Sequence, residues 1–273
     1  MKRRFCGFLA TVLIGLAACS KREIVKYSGP PAKSRVSRIE WKALQTRAEV
    51  SYQANGMLER LRYFRNSNFF NETVLTYRAD DHLIELTVSA LAEKQVFSYD
   101  GSGRLAQQDF VLKTGGTYHA RKRLVYSYNT AGKLVQLDYL LINEAGSSLQ
   151  QRSFYTYDNH GELRKIGTTD QKNNEYIMSI DSYSAPVKFN PMYMVFQEMN
   201  ENYAIYNLAA LDQMDKLPAR IRRYRVIGRQ LHPLKVATID YRIDNGRLLQ
   251  QMNTVVHIDP AAPVAELTVD YYY

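Results

Sequence analysis

The sequence predicts an all-β protein: an antiparallel meander of repeated β-hairpins with a short helical or irregular insert. A triplet of an apolar residue, Ser or Thr, and tyrosine recurs along the chain, a turn residue follows each tyrosine four positions later, and leucine follows two positions after that. The triplet has the period of two that is typical of a half-buried strand. A hairpin in every copy implies an array of antiparallel strands. We expect these strands to form a strongly twisted sheet or to coil into an open barrel.

Five copies of the repeat follow this pattern closely. Their tyrosines are Tyr52, Tyr77, Tyr99, Tyr128 and Tyr157. A looser sixth copy surrounds Tyr241, and Val269-Asp270-Tyr271 has the form of a seventh copy that the C-terminus cuts off. The leucine of each copy starts a returning strand, and these strands are predicted over residues 58–64, 83–88, 105–112 and 134–142.

Turn chemistry explains the residues between tyrosine and leucine. Asp158-Asn159-His160-Gly161 suits a type I turn, since Asp accepts hydrogen bonds from its own backbone and Gly adopts the left-handed conformation that closes the turn. The predicted product is a three-residue hairpin loop. In the second copy, Asp81 must take the left-handed position, which Asp tolerates. In the sixth copy, Asn245-Gly246 predicts a two-residue loop.

Residues 1–18 have the features of a signal peptide. A basic start, Lys2 to Arg4, precedes an apolar run that is too short to span a membrane as a helix. The run ends in Leu16-Ala17-Ala18-Cys19, which resembles the lipobox of bacterial lipoproteins. This resemblance implies that Cys19 is lipidated and that the residues before it are removed, and Ser20 favours the outer membrane. The alternative is a secretory signal with an incidental cysteine.

The motif Tyr157-Asp158-x-x-Gly161-x-Leu163 resembles the YD repeats of Rhs-type proteins. Together with the lipoprotein start, the chain is most similar to YD-repeat-like lipoproteins of the Bacteroidetes envelope. The resemblance covers residues 48–163 well and 236–273 loosely. It implies β-hairpins and an envelope location, and it carries no catalytic residues.

Three regions follow from these observations. Residues 1–18 are the signal peptide, residues 19–40 are the lipidated cysteine with a flexible basic tether, and residues 41–273 are one repetitive β domain. The tether either lies along anionic head groups or is a solvated linker. Trp41 is predicted to lie in the core or to cap one sheet end. The repeat lapses over about residues 164–233, which we expect to hold the insert.

The insert contains an apolar face of possible helical spacing. Met192, Val195, Phe196 and Met199 predict a short amphipathic helix, and residues 204–217 predict a weaker one. Such Met-rich faces usually fill gaps in a core, and the alternative is an adaptable ligand pocket. The candidate ligand-binding residues are Tyr99, Tyr128, Tyr157, Met192, Phe196 and Met199. The apolar neighbours of the three tyrosines favour burial over stacking on a ligand.

The formal net charge is +9. The basic residues are spread along the chain, and the envelope location argues against nucleic acid as a partner. An anionic glycan, a lipid or another envelope protein fits the charge better, in addition to the membrane itself through Cys19. Five arginines between residues 220 and 229 predict a solvated strand face, and a groove for an anionic ligand is the alternative.

The chain carries no recognised catalytic or cofactor motif. It has no nucleophile elbow, P-loop or dinucleotide fingerprint, and its five histidines are not paired at metal-ligand spacing. We therefore expect no enzymatic activity, no cofactor and no metal. The favoured function is a non-enzymatic binding or scaffold module anchored to the outer membrane, on its periplasmic or cell-surface face. The alternative is a periplasmic-facing carrier or chaperone of lipid or lipoprotein, with an apolar half-barrel cavity.

Overall fold

The computed structural model describes residues 35–89, 93–188, 208–211, 214–259 and 262–273, which form sixteen strands. The strands are β1 (Arg38–Trp41), β2 (Thr46–Tyr52), β3 (Leu58–Arg65), β4 (Asn68–Tyr77), β5 (Leu83–Val88), β6 (Glu93–Tyr99), β7 (Leu105–Thr114), β8 (Thr117–Tyr128), β9 (Leu134–Asn143), β10 (Gly146–Tyr157), β11 (Leu163–Asp170), β12 (Glu175–Pro186), β13 (Lys216–Ile227), β14 (Gln230–Ile243), β15 (Leu249–Asp259) and β16 (Ala262–Tyr272). A 3-10 turn spans Lys42–Leu44, and a helical turn, α1, spans Leu208–Leu211.

Each strand pairs antiparallel with its neighbours in chain order, and the sheet closes into a barrel. The predicted all-β antiparallel meander is confirmed. Closure depends on β1, in which Ile39 lies opposite Tyr271 of β16 on one side and Ala48 of β2 on the other. Val36 and Ile39 are fully buried, so the folded part begins before the expected boundary at residue 41. Trp41 is also buried, as expected of a core residue.

The repeat turns have the predicted three-residue geometry. In the copy at Tyr157, the Gly161 amide donates to the Asp158 carbonyl at 3.0 Å, and the Asp158 amide donates to the Glu162 carbonyl at 2.9 Å. Gly161 has a φ of 78° and Asp81 a φ of 68°, both in the left-handed region. The predicted two-residue loop of the sixth copy is wrong. There Arg247 takes the left-handed position, because Asp244 accepts from the Leu248 amide and opens the same turn as in the other copies.

A β-bulge follows each repeat turn. In the copy at Tyr157, Thr156 lies opposite Lys165 while Tyr157 lies opposite Leu163, so Arg164 is an extra residue in the ladder. The extra residue places Leu163 and Ile166 on one face although they are three positions apart, and both are buried. The same shift occurs in the other close copies and in the sixth.

In most copies, a tyrosine hydroxyl ties the repeat hairpin to the preceding strand, in a contact that we call the tyrosine clip. Tyr157 donates to the Leu134 carbonyl at 2.8 Å, and Tyr128 donates to the Leu105 carbonyl at 2.7 Å. Both bonds join strands whose connecting turn lies at the other end of the barrel, so they hold the hairpins where no turn does. The equivalent clips are Tyr52 to Val36, Tyr99 to Leu83, Tyr183 to Leu163, Tyr241 to Pro218 and Tyr273 to Leu249.

Two clip tyrosines differ from the sequence prediction. Tyr183 lies in the stretch where the repeat motif lapses, yet it makes a clip of the same kind. In the C-terminal copy Tyr273 makes the clip, whereas Tyr271 is buried and faces Ile39. The prediction that Tyr271 is the repeat tyrosine is therefore wrong, because Tyr273 has that role. The two residues are two positions apart, so they lie on the same face of the strand.

Strands continue through much of the stretch that was expected to be an insert. Most of β11, all of β12 and β13, and the start of β14 lie within residues 164–233, and between Pro186 and Lys216 the structure describes only residues 187–188, 208–211 and 214–215. The weaker predicted helix over 204–217 is represented by α1 alone among the described residues, and residues 216 and 217 belong to β13. Val187, Ala209 and Ala210 are buried in the same core as the barrel strands. The predicted helix at Met192–Met199 lies outside the described residues.

The two ends of the barrel differ. At the repeat end, where the repeat turns lie, the first leucine of each returning strand is buried, and we call these side chains the floor: Leu58, Leu83, Leu105, Leu134, Leu163 and Leu249. At the opposite end, which we call the far end, consecutive residues are exposed, as in residues 146–149 of β10 and 230–233 of β14. The buried core thus reaches the repeat end, whereas the strand tips at the far end are exposed to solvent.

Replacing Gly161 by valine should lower the free energy of unfolding by about 2 kcal/mol, because a β-branched residue is strained at its positive φ. A Cβ at Gly161 would meet only the Lys133 side chain, at 3.8 Å or more, so crowding is not the cause. Gly167→Val is the control, since Gly167 lies in β11 with open space around it, and it should change the free energy by less than about 0.5 kcal/mol. The measurement is denaturant unfolding of the full chain, and equal losses would contradict the turn geometry.

Replacing Tyr157 by phenylalanine should lower the free energy of unfolding by about 1 kcal/mol, because it removes the clip to the Leu134 carbonyl in a partly buried site. Tyr118→Phe is the control, since Tyr118 is exposed at the far end and should respond little. Denaturant unfolding of both variants tests this. A loss at Tyr157 no larger than that at Tyr118 would show that the clip does not stabilise the barrel.

Candidate functional site

The three tyrosines predicted as ligand-binding residues are structural. Tyr99, Tyr128 and Tyr157 are partly buried against the core, and the hydroxyl of each is engaged in a clip. Burial raises the pKa of Tyr157 to about 12. Their rings therefore offer no free stacking platform, as their apolar neighbours indicated. Met192, Phe196 and Met199 lie outside the described residues.

The strand registers assign side chains to the two faces of the barrel wall, because residues directly opposite each other in a ladder share a face. Leu124 lies opposite Gln108, Ile166 opposite Tyr155, and all four are buried. Only the enclosed face of a barrel can bury side chains as fully as Ile166, which has 0% exposure. The apolar face is therefore the inner face.

The outer face carries ion pairs that cross from strand to strand. Arg123 binds Asp109 at 2.7 Å, Arg152 binds Asp138 at 2.7 Å, and Arg222 binds Asp181 at 2.6 Å. Hydrogen bonding to Asp109 raises the pKa of Arg123, and hydrogen bonding to Asp138 raises that of Arg152. The outer cations of these strands are thus neutralised by carboxylates on the neighbouring strand.

A buried polar group interrupts the apolar inner face. Gln108 takes the place that leucine, isoleucine or methionine holds in other copies, and its amide donates to Gln95 at 2.6 Å. Tyr126 donates to the side-chain oxygen Oε1 of Gln108 at 2.8 Å, and burial raises the pKa of the Tyr126 hydroxyl well above its ordinary value. Because these polar atoms satisfy one another, we interpret the group as part of the core. In the sequence, this group is indicated only by a glutamine at an inward-facing position.

The inner wall at the far end carries cations. Arg223 lies directly opposite Met178 of the core on one side and Lys235 on the other. Arg225, two positions along β13, lies opposite Tyr176 and shares the inner face. No ion pair to any of these three cations occurs among the described residues. We call Arg223, Arg225 and Lys235 the cation cluster.

Two polar neighbours orient the cation cluster. The Arg223 guanidinium lies over the Tyr176 ring, 5.2 Å from its centroid. The Arg225 guanidinium donates to the Asn174 side-chain oxygen at 2.8 Å. Both contacts leave most of the guanidinium N–H groups unengaged, since each guanidinium has five. The arginine run of the sequence is therefore divided: Arg222 faces outward and is paired, whereas Arg223 and Arg225 face inward.

Apolar side chains lie exposed on the same inner wall. Ile227 follows Arg225 on the inner face of β13 and is 51% exposed. Lys122 lies opposite Leu141 on one side and opposite Phe110, which packs against the core, on the other. Leu141 and Lys122 therefore both face inward, and Leu141 is 37% exposed. Phe70 packs on buried Tyr63 with their ring centroids 6.2 Å apart. We call Phe70, Leu141, Ile227 and the cation cluster together the mouth.

The mouth combines exposed apolar groups with unpaired positive charge above a filled floor. This chemistry suits a molecule with an apolar part and an anionic part. Across the described residues, no group of three or more His, Cys, Asp or Glu side chains is arranged to hold a metal ion, and no helix is long and apolar enough to cross a membrane. The sequence missed the mouth because its residues come from strands far apart in the chain.

Two solved structures share the fold. The chain is similar to a porin-like protein from Bacteroides uniformis ATCC 8492, with 16% identity, a TM-score of 0.54, and coverage of 88% of this chain and 96% of that chain. It is also similar to a porin-like protein from Bacteroides vulgatus ATCC 8482, with 16% identity, a TM-score of 0.54, and coverage of 87% and 98%. No protein-family model and no curated protein matches the sequence. At this level of identity, the two likenesses establish the barrel fold.

Proposed function

We propose that the chain is a non-enzymatic binding module of the bacterial cell envelope that holds an amphiphile in its mouth. The observation that carries this proposal is the inner wall at the far end, where exposed Ile227 lies on the same strand face as Arg223 and Arg225 of the unpaired cation cluster. An exposed apolar surface next to fixed charge is a binding feature, because it costs solubility and contributes no stability of its own.

The barrel itself is proposed to stand in water beside a membrane. Membrane-spanning barrels present an apolar band outward and a polar interior. Here the outer ion pairs, such as Arg152–Asp138, and the apolar floor have the opposite arrangement. The two similar barrels are described as porin-like, and a sixteen-stranded pore would enclose an aqueous channel. The buried floor supports a closed cup instead of a pore.

Anchoring at the outer membrane through a lipid on Cys19 completes the proposal. The YD-repeat-like lipoproteins that the sequence resembles have this organisation. Fifteen residues lie between Cys19 and Arg35, so the sixteen Cα-to-Cα steps allow a reach of at most about 55 Å. β1 begins at the repeat end, so a tether of this length lets the far end project away from the anchoring membrane. Anionic glycans, lipids and envelope proteins remain the classes of partner that the charge favours.

A carrier or chaperone of lipid or lipoprotein is the second candidate function. It is favoured by the inward position of Phe70, Leu141 and Ile227. The filled floor argues against a deep acyl cavity at the repeat end, because Leu134, Leu163 and Leu249 are buried there. A carrier would hold a full acyl chain that is protected from water, whereas a binding module would hold its ligand at the mouth.

Mass spectrometry of the full chain made in a bacterial host tests the anchor. We expect the chain to lose residues 1–18 and to gain a diacylglyceryl group on Cys19. Cys19→Ser should abolish both changes, and Cys6→Ser should retain both, because Cys6 lies within the removed segment. A wild-type chain with an unmodified Cys19 would refute the lipid anchor.

Native mass spectrometry of the full chain in detergent micelles tests the mouth, with a monoacylglycerol as a neutral amphiphile. Ile227→Asn should weaken its binding about tenfold, because the variant removes roughly a full apolar side-chain contact. Phe154→Asn is the matched control: Phe154 is 49% exposed but lies opposite Gly167 on the outer face, and its loss should leave binding unchanged. Equal effects of the two variants would refute binding at the mouth.

A further inference from the structure

We propose that Arg223, Arg225 and Lys235 form a binding site for a phosphate group, and that the amphiphile held in the mouth carries this phosphate as its head group. This inference rests on the proposed function, because it names the chemical class of the ligand at the same site. The argument has three steps: the geometry of the cluster, its cost to the fold, and the match to the ligand.

The register brings the three cations within reach of one anion. Arg223 and Lys235 are directly opposite in the β13–β14 ladder, where Cβ atoms lie about 5 Å apart. Arg225 lies two positions along β13 on the same face, about 7 Å away. His232 lies opposite Arg225 and extends the same polar strip toward the end of the barrel. A phosphate group placed over this part of the wall contacts two arginines and a lysine together.

The fold holds this cluster at a cost. Like charges directly opposite each other in a sheet are destabilising. On the outer face of the same strand, Arg222 is neutralised by Asp181 at 2.6 Å. The inner cluster has no such carboxylate among the described residues, although Glu72, Asp109 and Asp138 serve outer cations on other strands. Three adjacent cations without a carboxylate among the described residues indicate an anionic ligand as the partner of this cluster.

The chemistry of the cluster matches phosphate. A phosphate monoester carries a charge of about −1.5 to −2 near neutral pH, which the three cations fully neutralise. Guanidinium groups bind its oxygens with two parallel N–H bonds. Tyr176 beneath Arg223 and Asn174 beside Arg225 fix both guanidinium planes before the ligand arrives. Ile227 continues the same face and meets the apolar part of the ligand.

Native mass spectrometry of the full chain with two matched lipids tests the site. A lysophosphatidic acid should bind at least about tenfold more tightly than the monoacylglycerol with the same acyl chain. Lys235→Gln and Arg225→Gln should each remove about tenfold of the phosphate lipid's affinity and leave the neutral lipid's affinity unchanged. Arg222→Gln, which removes the same charge from the outer face of β13, should leave both affinities unchanged.

The melting temperature of the ligand-free chain separates a lost ligand contact from a damaged fold. Lys235→Gln should raise it by about 1–2 °C, since it removes a like-charge pair. Equal binding of the two lipids by the wild type overturns the phosphate site and leaves the proposed function standing, whereas no binding of either lipid overturns both. Inorganic phosphate that competes as well as the phosphate lipid overturns the assignment to a lipid head group. Equal losses in Arg222→Gln and Arg225→Gln overturn the assignment to the inner wall.

Discussion

The hydrogen bond from a repeat tyrosine to a leucine carbonyl is the contact that joins neighbouring hairpins of the barrel at the repeat end. A hairpin array is joined by turns at only one end of each strand pair, so neighbouring hairpins need another tie at the opposite end. Tyr128 and Tyr157 supply this tie by reaching back to Leu105 and Leu134, where the preceding hairpins restart. The ties occur at the end that also holds the buried floor, so clip and core reinforce each other. The repeat end is accordingly the rigid part of the molecule's architecture.

The period of two along the strands converts this scaffold into two surfaces with different chemistry. The inner face buries leucine, isoleucine and tyrosine, and the outer face pairs arginine with aspartate or glutamate across strands. An ion pair on an exposed face contributes at most about 1 kcal/mol, so the outer pairs serve solubility more than stability. Stability comes from the floor, where burying one leucine contributes about 1.5–3 kcal/mol. Because of this division, the two faces can change independently of each other.

Local pattern predicted most of the fold. The returning strands that start at Leu58, Leu83, Leu105 and Leu134 were predicted because alternation and turn residues act within a few positions, where sequence is directly readable. The start of β11 at Leu163 was predicted, but the pairing of β11 with β12 was missed, because the turn at Asp170 uses Asn173 in the left-handed position and lacks the repeat glycine. Closure by the four residues of β1 could not be predicted, since it depends on β16 at the other end of the chain. The clips were not predicted either. Their acceptors are backbone carbonyls, which every residue has, so the residue type at the acceptor position does not reveal them.

The mouth was less predictable than the fold, but one signal for it was present. Arg220 and Arg222 occupy one parity of β13, whereas Arg223 and Arg225 occupy the other, so a run of arginines along a strand cannot form one solvated face. Parity alone assigned neither pair to the interior. The pairing of Arg223 with buried Met178 assigns Arg223 and Arg225 to the inner face. This positive charge therefore lies at the far end, away from the apolar side chains of the floor. A fold whose stability resides at one end can keep unpaired charge at the other, which makes the far end the part of the barrel in which ligand chemistry can vary without loss of the fold.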